Sequence, residues 1–206
     1  SGYSDMAIGI ALLLGFKIPM NFNAPLTADS MTDFWRRWHI SLSTWIRDYV
    51  YISLGGNKKG TLRMYFNQMV AMTACGLWHG ASLNFVVWGV LHGALVCVHK
   101  FWSQTVLKHD RRYHPSGIRR FLSVFITFHV LCFTWLFFRC KDFDSVWIMV
   151  KQLFTKFNPS VLPDVFMGYK YVFMLMIFAL LTHWIPDSWQ NRCVRVLEKG
   201  GVVLSA

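Results

Sequence analysis

The sequence predicts an all-α, polytopic membrane protein, and three observations carry that prediction. Of its 206 residues 54% are hydrophobic and only 15% charged, whereas a soluble domain has about a quarter of its residues charged. From Met64 to Leu107 there is no proline and Lys100 is the single Lys, Arg, Asp or Glu, a run about twice the ~20 residues of one helical span. The net charge of +11 is gathered in short basic clusters between apolar runs. That is the habit of cytoplasmic loops in membrane proteins, so no nucleic-acid partner is expected.

In chain order, Ser1 to Asp5 offer no initiator Met, basic n-region or cleavage site, and the apolar run Met6 to Phe16 is short for a span. The expectation is a piece cut from inside a longer protein, with Gly201 to Ala206 the start of something cut off. Lys17 to Thr32, carrying Pro19 and Pro25, reads as a loop leading to a helix N-terminus near Asp29 or Ser30. Over 30–49, Met31, Phe34, Trp35, Trp38, Leu42, Trp45, Ile46 and Tyr49 recur at three- and four-residue steps, opposite Arg36, Arg37, Ser43, Thr44, Arg47 and Asp48. This pattern predicts an amphipathic helix in the membrane interface, with His39 at the edge of its apolar face.

Gly55 to Gly60 form a basic turn that Arg63 extends. The long run then predicts a core hairpin over 64–107, either two spans or re-entrant, broken at Gly80 to Asn84 just after His79. Gly76 and Gly80, like Gly89 and Gly93, are four apart, a spacing that lets membrane helices approach closely. A second basic loop holds Lys108, Arg111, Arg112, Arg119 and Arg120. Further spans are predicted over 121–138 and 171–185, the latter closed by Pro186, and a second interfacial helix over 143–157 between them. With both basic loops cytoplasmic, the core run goes in and returns, 139–170 lies outside, and Arg192, Arg195 and Lys199 return to the cytoplasm.

The candidate chemistry is histidine chemistry. A lone His on an apolar face is usually a satisfied structural residue, yet an ionisable group inside a bilayer is costly, which makes His79 a functional candidate and His39 a second one. His92 and His99 are seven apart on one helix face, as metal or haem ligands can be, but no third ligand stands nearby, so no metal is expected. His109 and His114 fall in the basic loop, and His129 and His183 are single polar residues in spans. The five cysteines form no CxxC pair and suggest free thiols in apolar sites. Arg36, Arg37, Arg47, Lys58 and Lys59 read either as lipid headgroup contacts or as recognition of a phosphorylated acyl donor such as coenzyme A, or of an acidic carrier protein. No GxSxG, P-loop, GxGxxG or HExxH pattern is present.

SGYSDMAIG at the start, TDFWRRWHISLSTWIRDYVYISLGGN at 32–57 and GLWHGASLNFVVWGVLHG at 76–93 closely resemble the membrane-bound O-acyltransferases, in particular their bacterial alginate O-acetylation and D-alanyl transfer branch. The likeness continues weakly through LFFRCKDFDSVWIMVKQLF, and Ser53 stands where proline is common. The resemblance implies a multi-pass protein of the bacterial inner membrane, many spans around a funnelled core, of which this chain supplies the second half. It implies transfer of an acyl group, acetyl by branch, from a cytoplasmic thioester donor (acetyl-CoA or acyl carrier protein) to a hydroxyl of an exported polysaccharide or to an extracytoplasmic partner transferase. The family's proposed catalytic histidine maps onto His79 of the WHG motif and its second polar position onto His39. Arg36, Arg37, Trp78 and Asn84 are the expected substrate-binding residues, with membrane lipid around them and no resident cofactor. The rival expectations are a transporter with a histidine proton relay and a scaffold that only recruits a transferase.

Overall fold

A computed structural model of the chain describes residues 2–108, 110, 113–182, 189 and 192. His109, Arg111, Arg112, His183, Ile185, Pro186, Cys193, Arg195 and Lys199, and the C-terminal Gly201 to Ala206, lie outside the described residues. All regular structure among the described residues is helical. The principal helices are α1 (Gly2–Leu13), α2 (Met31–Arg37), α3 (Ile40–Ile46), α4 (Thr61–His79), α5 (Leu83–Phe101), α6 (Gly117–Arg139), α7 (Phe143–Thr155), α8 (Leu162–Gly168) and α9 (Lys170–Thr182). One unit takes Pro19–Val150 with the first residues of the chain; the other takes Met6–Ile18 and the chain from Lys151 onward.

The first unit is built on the α4/α5 hairpin, whose two 19-residue helices meet backbone to backbone. A Cβ built on Gly76 would lie 2.2 Å from the Phe85 carbonyl oxygen, and one on Gly89 would lie 2.5 Å from that of Met72. Glycine at these two positions is what permits the approach, as the four-residue spacings suggest. The hairpin reverses over Gly80 to Ser82, where the Ser82 side chain accepts the Asn84 N–H at 3.4 Å and caps α5. One buried cluster joins Leu42 and Ile46 of α3 to Ala71 and Cys75 of α4, Trp88 of α5, Phe137 of α6 and Val146 of α7. A second joins Ala28, Met31 and Phe34 to Val96 of α5 and Leu131 of α6. Below them the fully buried Asn67 donates to the carbonyls of Leu54 (3.3 Å) and Gly56 (3.0 Å), tying the glycine turn to α4.

The single helix expected over 30–49 is two helices. Ser30 caps α2, its side chain accepting the Asp33 N–H at 3.2 Å. At Trp38 the backbone becomes extended (φ −104°, ψ 127°), and His39 is left-handed (φ 44°, ψ 57°). The physical reason is tertiary: Asn23 N–H donates to Arg37 O (2.9 Å), Ile40 N–H to Asn21 O (3.0 Å) and Ser41 N–H to Asn21 Oδ1 (2.9 Å). The preceding loop thus satisfies backbone groups that a continuous helix would have paired internally. After α3 the chain passes into a π-helical turn, Arg47–Tyr51, where a hydrogen bond from Arg47 (2.8 Å) holds the exposed Asp48 carboxyl below its usual range.

α2 runs antiparallel along the C-terminal half of α5. Thr32 Oγ1 meets His99 Nδ1 at 2.9 Å, Trp35 Nε1–H donates to His92 Nδ1 at 3.2 Å, and the Trp35 and Trp88 rings meet edge to face at 5.9 Å. Leu83–Val106 and Gly117–Arg139, 24 and 23 residues long, are apolar and long enough to cross a membrane. In the second unit the chain bends by 79° between Pro159–Gly168 and Lys170–Ala179, just before the segment expected to span from Tyr171. The break falls at Tyr169, where φ, ψ are −110° and 20°, while its N–H still bonds Val165 O and its carbonyl accepts from Phe173, both at 3.0 Å.

Candidate active site

His79 is the last residue of α4, at the tip of the hairpin. Its ring is half-buried among aromatic neighbours: Phe138 and Trp78 at 4.9 Å, Trp88 at 5.4 Å and Phe85 at 6.1 Å between centroids. Trp78, Trp88 and Phe138 meet it edge to face, which fixes the orientation of the imidazole without engaging its nitrogens. Among the described residues neither ring nitrogen of His79 has a hydrogen-bond partner. The ring lines a cavity of about 450 Å³ with Trp38, Trp88, Trp135, Phe138 and Arg139.

His39 also meets Trp78, the two rings 5.9 Å apart at 85°. Its buried Nδ1 has no hydrogen-bond partner among the described residues. The two expected histidines therefore both meet one exposed tryptophan, and the left-handed backbone at His39 holds its ring there. A non-glycine residue in that conformation costs about 1–2 kcal/mol, and such outliers cluster at functional sites. Trp88, 3% exposed, has its indole N–H unpaired and buried beside the same cavity.

The other expected residues are placed differently. Asn84, expected as a donor to substrate, is buried and gives its amide N–H to the Cys140 carbonyl at 3.0 Å. It clamps the start of α5 to the end of α6. Arg37 pairs with Asp33 at 2.8 Å. Arg36 lines a second, polar cavity of about 250 Å³ of mixed charge, with Thr32, Asp33, His99, Lys100 and Asp110. That cavity lies at the opposite end of α5 from His79, roughly 25 Å along the axis at 1.5 Å per residue.

His92 is a structural histidine. Its Nδ1 accepts from Trp35, and its Nε2 faces Thr134 Oγ1 at 2.9 Å. Thr134 donates its own hydrogen to Leu131 O at 2.9 Å, so it must accept from Nε2–H. The ring is a neutral Nε2–H tautomer with both nitrogens satisfied, joining α2, α5 and α6. His129 Nδ1 bonds Phe125 O at 2.8 Å, and His114, expected solvated, bonds Asp29 Oδ2 at 2.6 Å. Asp29, Asp33 and His114 bring ligand atoms within 4.8 Å of one another. The Asp33 carboxylate already holds Arg37 and Asp29 already holds His114, so the trio is accounted for as a paired charge network.

Sequence reasoning missed Arg139, Trp38, Trp135 and Phe138 as cavity residues. The signal available was the FFR sequence at 137–139, at the end of a predicted span.

These features define an integral membrane protein with an unpaired histidine in an aromatic cavity at a helix-hairpin tip. Residues 1–138 match the profile of MBOAT, the membrane-bound O-acyltransferase family. The chain belongs to that family. It is 45% identical over 155 residues to the probable alginate O-acetylase AlgI of Azotobacter vinelandii, covering 75% of this chain and 30% of the relative. It is 42% identical over 153 residues to the peptidoglycan O-acetyltransferase of Helicobacter pylori, covering 74% and 28%. With the teichoic acid D-alanyltransferase of Bacillus subtilis the identity is 33% over 154 residues, covering 69% and 38%. The chain thus spans about a third of the length of the curated relatives it matches.

Proposed function

We propose that the chain carries the base-bearing half of a multi-pass O-acyltransferase of the bacterial inner membrane. The enzyme moves an acyl group, acetyl by its relatives' names, from a cytoplasmic thioester donor to a hydroxyl of an exported polysaccharide, directly or through an extracytoplasmic partner transferase. The observation that carries this reading is the imidazole of His79, oriented by aromatic rings, free at both nitrogens among the described residues and lining a cavity large enough for reacting groups.

A hydroxyl attacks a thioester poorly until a base takes its proton. His79 accepts that proton as the hydroxyl oxygen bonds to the carbonyl carbon. The tetrahedral intermediate then collapses, the carbon–sulfur bond breaks, and His79 returns the proton to the departing thiolate. His39, beside Trp78, helps orient the reacting groups. The aromatic wall keeps water from the thioester. Arg36 and Lys100 in the polar cavity contact the phosphorylated donor or its acidic carrier, with Arg37 held ready by Asp33. A histidine relay finds no support, because His92 is closed off by Trp35 and Thr134, and its link to His79 runs through the Trp88 ring and not through hydrogen bonds.

The test is label transfer from an acyl thioester to polysaccharide in native membranes containing the full-length protein. His79→Ala is expected to lower the rate by at least about 10²-fold at unchanged protein level, the smaller end of what a positioned base contributes. A full rate in that variant would sink the assignment.

A further inference from the structure

We propose that Arg139 is the acceptor-recognition residue of the His79 cavity, binding a carboxylate or phosphate carried by the saccharide whose hydroxyl is acylated; this rests on the acyl-transfer reading above. Arg139 closes α6 and lines the same cavity as His79. Of the six lining residues it is the one with a permanent charge; the others are three tryptophans, a phenylalanine and His79 itself.

The surrounding structure places it there. The neighbouring Phe138 is packed against His79 (4.9 Å), Phe85 (5.0 Å) and Trp88 (5.5 Å), which locks the last turn of α6 onto the hairpin tip. On the other side, the Cys140 carbonyl is taken by the buried Asn84 amide at 3.0 Å, and the Cys140 N–H closes back on Leu136 O at 3.0 Å. The backbone on both sides of Arg139 is therefore fixed, while its side chain stays exposed. The Asn84 amide thereby also fixes the backbone that carries Arg139.

Its charge is also uncommitted. Among the described residues Arg37 pairs with Asp33, Arg47 with Asp48 and His114 with Asp29, whereas Arg139 has no carboxylate partner. A guanidinium presents a planar fork that matches carboxylate and phosphate oxygens two at a time, and it does so best beside apolar walls that keep water away. Flat indole faces suit the apolar faces of a sugar ring, leaving Arg139 to read an anionic substituent and His79 to reach a hydroxyl. A guanidinium serving only as a lipid headgroup contact has no need to share a cavity with the reacting base.

The test uses native-cell membranes holding the full-length protein, permeabilised and given a labelled acyl thioester. Three acceptor oligosaccharides are compared: one with free carboxylates, the same one methyl-esterified, and one bearing phosphates. The wild type is expected to prefer an anionic acceptor over the esterified one by about tenfold in kcat/KM, the scale of a charge-assisted hydrogen bond. The carboxylate and phosphate arms show which anion it takes. Arg139→Gln is expected to bring the ratio near one, mainly through KM, with Arg139→Lys retaining part of it. A variant that loses rate on all acceptors in proportion, so that the ratio stays at its wild-type value, overturns the proposal in favour of a structural role. A ratio that tracks the anionic lipid content of the membranes overturns it in favour of a headgroup contact. Transfer by the wild type to none of the three overturns this proposal, while the His79→Ala envelope comparison tests the acyl-transfer reading separately.

Discussion

Three histidines that look alike in the sequence do three different things. His92 is sealed by Trp35, Thr134 and the tilted Trp88 ring at 4.4 Å, so its removal strands the Trp35 N–H and empties a fully buried site. His92→Ala is expected to destabilise the full-length protein by about 2–4 kcal/mol, one orphaned donor plus a cavity, read as a lower thermal unfolding midpoint in detergent. His79→Ala, at a half-buried cavity wall, is expected to leave that midpoint within a few degrees while abolishing transfer. A matched fall in both midpoints would mean that His79 is structural too. His39 is separable by backbone chemistry: glycine relieves the left-handed strain but removes the ring, whereas glutamine keeps a polar group and the strain. If the ring matters, His39→Gly loses transfer rate without losing stability; retained transfer in His39→Gly would reduce His39 to a turn residue.

At the scale of elements, the sequence announced the hairpin best, because a run without proline or charge and glycines at four-residue spacing are direct consequences of burying two backbones against each other. The reversal falls at Gly80 to Ser82, and Gly76 lies against Gly89. Gly76→Ala is expected to be among the most damaging single changes, since its Cβ would meet a backbone carbonyl and not a flexible side chain. Detergent-extracted yield and unfolding midpoint should both fall, while Gly93→Ala, whose Cβ meets the Met69 sulfur at 3.0 Å, should be milder. Equal effects would mean that the crossing point lies elsewhere. The break at Trp38 and His39 was not legible, because apolar periodicity continues across it and the cause lies in Asn21 and Asn23, a loop away. Arg139 was hidden for a similar reason: only the fold brings the end of α6 to the tip of α4 and α5.

For the whole molecule, the positive clusters and the two apolar helices long enough to cross a membrane give an orientation that can be tested. With the basic turn at Lys58 and Lys59 cytoplasmic, the hairpin tip and Arg139 face the far side. In intact cells, a membrane-impermeant thiol reagent is expected to label Ser145→Cys and not Lys59→Cys; the reverse pattern would invert the proposed direction of transfer. On the proposed reading, the same orientation puts the polar cavity of Arg36 and Lys100 toward a cytoplasmic donor and the His79 cavity toward the acceptor. The measurement that tests the central claim most directly is mass spectrometry of envelope polysaccharides from native cells expressing the full-length protein, wild type against His79→Ala. The account predicts that one ester disappears while the variant is present at normal level. An unchanged ester profile with normal expression would contradict it.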